Sequence, residues 1–144
     1  MKIVRQIVLL ALLGSPLSAL ADGIAAVLYK NPDCHCCEEY ASYLSQHGFD
    51  VKVVPTEALP KIKGQYEVPN NLAACHTTVI GAYAIEGHVP IESVKRLLQE
   101  RPAVQGIAVP GMPAGSPGMG GQKTEPLAVY TFATAESPQL FDTH

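Results

Sequence analysis

"GIAAVLYKNPDCHCCEEYASYLSQHGFDVKVVPT", residues 23–56, decides the fold of this chain. Its first part, residues 23–30, is a short apolar run of the kind that forms a buried strand. Asn31-Pro32 is a turn signal, and Asp33 has the chemistry of a helix N-cap. From Cys34 to His47, Cys37, Tyr40, Tyr43 and Leu44 recur at three- and four-residue steps, and Gly48 is placed to end the helix. Residues 49–56 alternate as a second strand up to Pro55. The expected unit is strand–helix–strand, with three cysteines at the first turn of the helix.

The rest of the chain extends this unit. Residues 57–74 contain room for a short helix and then a Pro-Asn-Asn turn. "TTVIGAYAIEGHV", residues 77–89, predicts a β-hairpin around a Gly-containing turn. In "PIESVKRLLQERP", residues 90–102, Ile91, Val94, Leu97 and Leu98 form the apolar stripe of a helix that ends before Pro102. Residues 109–126 hold five Gly and four Pro, which no regular element survives. Residues 126–132 predict a final strand, and residues 133–144 a flexible tail. This order of elements, α/β with a pair of cysteines where the first helix begins, is that of a thioredoxin-like domain.

The amino terminus sets the compartment. Lys2 and Arg5 precede an apolar run from Ile7 to Leu13, and Ala19-Leu20-Ala21 supplies a small-residue cleavage site. This predicts a signal peptide over residues 1–21, too short in its apolar part to span a bilayer. A single domain over residues 22–144, exported to the periplasm, is the expected mature product, without stable membrane insertion. Of 144 residues, 10 are Lys or Arg and 13 Asp or Glu, for a net charge of −3. Losing Lys2 and Arg5 makes the mature chain more acidic still, so it offers nucleic acid little to hold.

Four cysteines remain to be explained: Cys34, Cys36, Cys37 and Cys75. In an oxidising compartment they could form two disulfides, with Cys34 to Cys37 the easy pairing. The Cys34-x-x-Cys37 spacing at a helix start also suits a thiol–disulfide oxidoreductase, since the helix end favours thiolate. Against exchange, "ACHTT" at residues 74–78 has no proline before the hairpin, where such enzymes carry one against their disulfide, and the chain has no Trp. The third possibility is a soft metal. Four sulfurs select Cu(I), zinc or iron–sulfur clusters. The spacing fits no usual iron–sulfur run and lacks the paired hooks of structural zinc. Crowded thiolates suit several Cu(I) ions.

"CHCC", "ACHT", "IEGHVP" and "VPGMPAGSPGM" together resemble the CopG-type periplasmic copper-resistance proteins, formerly a family of unknown function. The resemblance runs from Val27 to Tyr130. It implies a thioredoxin-like fold, a multinuclear copper cluster bound by Cys34, Cys36, Cys37 and Cys75, and Cu(I)/Cu(II) interconversion in copper resistance. Copper oxidoreductase activity is therefore a possible enzymatic role. Other periplasmic copper-handling proteins become candidate partners. Cu(II) prefers nitrogen more than Cu(I) does, and the resemblance favours His88, at the end of the hairpin, as a fifth ligand. His35, His76, Met112 and Met119 are further donors whose roles the sequence leaves open. His47 fits the helix C-terminus, where a cation is compatible with the dipole.

Overall fold

The computed structural model describes residues 23–133 and 136–144. The predicted signal peptide lies outside them. Ten elements follow in order: β1 (Ile24–Lys30), α1 (His35–Gln46), β2 (Phe49–Pro55), α2 (Leu59–Gln65), β3 (His76–Ile80), β4 (Tyr83–Glu86), α3 (Ile91–Glu100), β5 (Gly106–Ala108), β6 (Ala128–Ala133) and β7 (Glu136–Thr143). The strands make one mixed sheet in the order β2-β1-β3-β4-β5-β6-β7. β1 runs parallel to β2 and antiparallel to β3. β3 and β4 form the expected hairpin, and β4 pairs with β5 in parallel.

The apolar periodicities have physical counterparts. Along α1, Cys37, Tyr40, Ala41 and Leu44 are the buried positions, one helical stripe laid on the sheet. In α3, Ile91, Ser93, Val94 and Leu97 are buried. Leu28, Leu44, Ile85, Val94 and Leu97 share a core with Tyr40. Each fully buried Leu or Ile contributes about 1.5–3 kcal/mol over an exposed one. β5 is a short strand with no sequence signal of its own. It lies so close to β4 that a Cβ on Gly106 would stand 1.9 Å from the Ala84 carbonyl oxygen.

Two expectations need correction. The N-cap of α1 is Cys34, in extended conformation, and not Asp33. Residues 136–143 are no flexible tail: they form β7, antiparallel to β6, so the strand at residues 126–132 is not the final one. Ser137-Pro138 reads as a breaker, but β7 is an edge strand and Pro138 falls at a register shift, where a missing N–H is tolerated. Side chains also tie β7 to α3. The Arg96 guanidinium lies 4.4 Å from the centre of the Phe141 ring. Ser93 Oγ donates to Asp142 Oδ2 at 3.0 Å.

Candidate metal centre

The sheet register brings the fourth cysteine to the other three. β1 ends at Lys30, where the chain turns into α1, and Lys30 is the register partner of His76 at the start of β3. Because β3 runs antiparallel to β1, the residue before His76 lies at the same end of the sheet as the first turn of α1. That residue is Cys75.

The thiols converge closely. Cys37 Sγ lies 3.3 Å from Cys75 Sγ. Cys36 Sγ lies 3.8 Å from Cys75 Sγ and 3.5 Å from Cys34 Sγ. All four sulfurs fall within 4.8 Å of one another. Cys34 and Cys37 are joined as a disulfide, leaving Cys36 and Cys75 as free thiols. As the extended N-cap, Cys34 stands outside the helix proper, and this lets three sulfurs of one turn face a common point.

The turn is fixed from below by Lys30. Its side chain is buried, and Nζ donates to the carbonyls of Pro32 (3.0 Å) and Cys34 (3.1 Å). It also pairs with the exposed Glu38 at 3.0 Å, which holds the Glu38 carboxyl below its usual range. Sequence reasoning missed Lys30, because a lysine ending an apolar run reads as a strand leaving the core. Burial and the neighbouring Cys36 push the Cys75 thiol up to about 11, so at neutral pH it carries its proton unless an electrophile or metal displaces it.

A second group of donors adjoins the first. Cys75, His76 and His88 each offer a ligand atom, all within 4.8 Å. Both imidazoles are fully buried. Their rings meet edge to face at 5.0 Å, with the Tyr40 ring 5.0 Å from His76 and 5.2 Å from His88. His88 Nδ1–H donates to the Pro117 carbonyl at 2.6 Å, which leaves Nε2 with a free lone pair. Among the described residues, neither His76 Nε2 nor His88 Nε2 has a hydrogen-bond partner. Burial drives the His76 pKa down to about 3, helped by His88 and Lys63, and lowers His88 as well. Two neutral buried imidazoles are an unusual cost in a folded core; the His76 nitrogen that meets the thiols is Nδ1, 3.8 Å from Cys75 Sγ, and a soft or borderline metal suits such a set of sulfur and nitrogen donors.

The remaining donors divide clearly. Met112, in the 109–126 loop, places Sδ 3.3 Å from Cys75 Sγ. Met119 is half-buried on the same loop, its N–H donating to Ser116 O at 2.9 Å. His35 points to solvent, and His47 Nδ1 contacts the Tyr43 carbonyl at 2.7 Å, at the far end of α1. The loop is seated on the site: a Cβ at Gly118, whose φ is +74°, would lie 2.7 Å from the Tyr40 backbone nitrogen.

A family described as "Protein of unknown function, DUF411" matches residues 72–119, the span holding Cys75, both buried histidines and Met112. No curated protein sequence matches the chain. Two solved structures, titled copper resistance protein copG, Form 1 and Form 2, each share 31% identity with it. The match in each case covers 85% of this chain and 98% of the other, with a TM-score of 0.78. The mixed α/β fold is theirs, and this chain belongs to the CopG copper-resistance protein family.

Proposed function

We propose that this chain is a periplasmic copper-binding protein of copper resistance. Cys34, Cys36, Cys37 and Cys75, as thiolates, would hold a multinuclear Cu(I) cluster, with His88 as a nitrogen ligand and His76 and Met112 beside it. The observation that carries this reading is the meeting of four sulfurs within 4.8 Å, with two fully buried imidazoles beside Cys75. Soft sulfur and borderline nitrogen select copper over hard cations. Bound copper supplies one-electron redox chemistry at the site. The protein's part is to gather the donors, keep both imidazoles neutral and cover them with the 109–126 loop.

The disulfide bears on the order of events. Cys34 and Cys37 become ligands only after two electrons and two protons from an external thiol or other reductant convert their bond to two thiols. The disulfide-bonded form is thus the empty protein, and the reduced form the one that loads. The export signal expected from the sequence of residues 1–21 supports the periplasm as the place where this occurs.

The second reading, a thiol–disulfide oxidoreductase, draws on the Cys34–Cys37 bond at the start of α1. It leaves Cys75 and the buried histidines without a task. Anaerobic titration of the fully reduced protein with Cu(I), followed by metal counting, tests the proposal. More than one copper per chain is expected. One tightly held zinc with no excess copper uptake would overturn it.

A further inference from the structure

Glu86 ends β4, and its carboxylate is fully buried. A carboxylate in such a place is costly unless it is paired and hydrogen-bonded, and this one has three donors. Oε1 accepts the Ala74 backbone N–H at 2.6 Å and is ion-paired with Lys63 Nζ. Oε2 accepts the Thr77 hydroxyl at 2.7 Å. Lys63, reaching over from α2, donates to the same Thr77 Oγ1 at 3.0 Å and contacts the His76 carbonyl at 3.5 Å.

These contacts fall on residues 74, 76 and 77, which bracket Cys75. Glu86 is also the register partner of Thr77 across the hairpin. A hairpin needs no buried charge at that position, since an apolar residue would fill it more cheaply. What the carboxylate adds is a fixed point for the segment entering β3. Ala74 N–H is otherwise a loop donor with no strand partner, and Cys75 hangs between it and the clamped residues 76 and 77.

We propose that Glu86 is a positioning residue which, with Lys63, clamps residues 74–77 so that the Cys75 sulfur stays in contact with Cys36 and Cys37. Its consequence for metal binding rests on the copper reading above; the placement of the sulfur does not. Groups that orient metal ligands typically matter by about 10–100-fold in affinity.

The test uses two variants, Glu86→Gln and the double replacement Lys63→Met/Glu86→Leu. The first leaves the half-buried Lys63 ammonium without its carboxylate partner; the second removes both charges and lets the fold recover. Should Glu86→Gln fail to fold, the double variant alone carries the comparison. In the disulfide-bonded protein the free thiols are Cys36 and Cys75, with sulfurs 3.8 Å apart. Their rate of bridging by a short bifunctional thiol alkylator therefore reports the position of Cys75 with no copper present. Melting temperature and, after reduction, Cu(I) affinity are measured on the same proteins.

Positioning predicts that the double variant regains thermal stability while its bridging rate stays roughly tenfold below wild type, with Cu(I) affinity reduced in parallel. A bridging rate that returns to wild type as stability returns would overturn it and make Glu86 a structural residue only. If the wild type binds no Cu(I) while bridging still falls in the double variant, the copper reading fails and the positioning role stands.

Discussion

Cys75 Sγ lies 3.3 Å from Cys37 Sγ, although 38 positions of chain separate them. A parallel β1–β2 pair with an antiparallel β3 beside it produces this contact: the last residues of β1 and the first of β3 lie at one end of the sheet. The same packing sets Met112 Sδ 3.3 Å from the Cys75 sulfur. Cys75 is thus the hub of the site, touching sulfurs from α1 and from the 109–126 loop.

Cysteine variants separate metal binding from thiol exchange. Cys75→Ser is expected to cripple Cu(I) binding about as severely as Cys36→Ser. Insulin reduction, if the chain had it, would need Cys34 and Cys37 and be indifferent to Cys75. Copper titration and a reductase assay on both variants check this. Normal copper uptake by Cys75→Ser would contradict the metal-centre assignment.

His88→Gln is expected to weaken Cu(II) binding more than Cu(I) binding, because imidazole matters more to the divalent ion. Competition titrations with a chelator for each oxidation state measure the difference. Equal loss for both ions would mean that His88 acts through packing against Tyr40 alone.

The stability of the copper-free protein should fall on acidification. Both buried histidines have folded pKa values below the ordinary 6.5, that of His76 about 3. Above pH 6.5 they are neutral in folded and unfolded chains alike and contribute no pH dependence. Below it the unfolded chain takes up protons that the folded one refuses, so the unfolded state gains. Each such group costs about 1.4 kcal/mol per pH unit until its folded pKa is reached. Melting temperature measured from pH 7 to pH 5 should drop, and His76→Asn should flatten that slope. An unchanged slope in the variant would place the acid sensitivity elsewhere.

Gly118→Ala is expected to lift the loop from α1. The new Cβ would stand 2.7 Å from the Tyr40 nitrogen on a backbone with φ +74°, a strain of about 1–3 kcal/mol. Pro117, whose carbonyl holds His88 Nδ1, would move with it. Faster alkylation of Cys75 relative to wild type is the expected readout, and an unchanged rate would show that the loop does not cover the thiol.

Much of this was legible in the residues. The strand–helix–strand start, the hairpin and α3 were readable because their apolar positions repeat at two or at three and four residues; Cys37, Tyr40, Leu44, Ile91, Val94 and Leu97 are buried as that pattern requires, whereas Tyr43 and Leu98 are half-buried and Val53 is exposed. The three clustered cysteines announced themselves. The approach of Cys75 was inferable only through the fold, since nothing local to "ACHT" says what lies opposite. β7 was hidden because Pro138 and a polar composition mark a tail, whereas the strand is held at an edge through Phe141 and Asp142 against α3. Lys30 and Lys63 were illegible for a related reason. A charge reads as solvent-facing unless its partners are known, and theirs are backbone carbonyls and a carboxylate distant in sequence.

Copper K-edge absorption on the reduced, Cu(I)-loaded protein reads the proposed cluster itself. A thiolate cluster gives a coordination shell dominated by sulfur, together with copper–copper scattering from neighbouring ions. A shell of nitrogen and oxygen alone, or a single isolated copper, would contradict it.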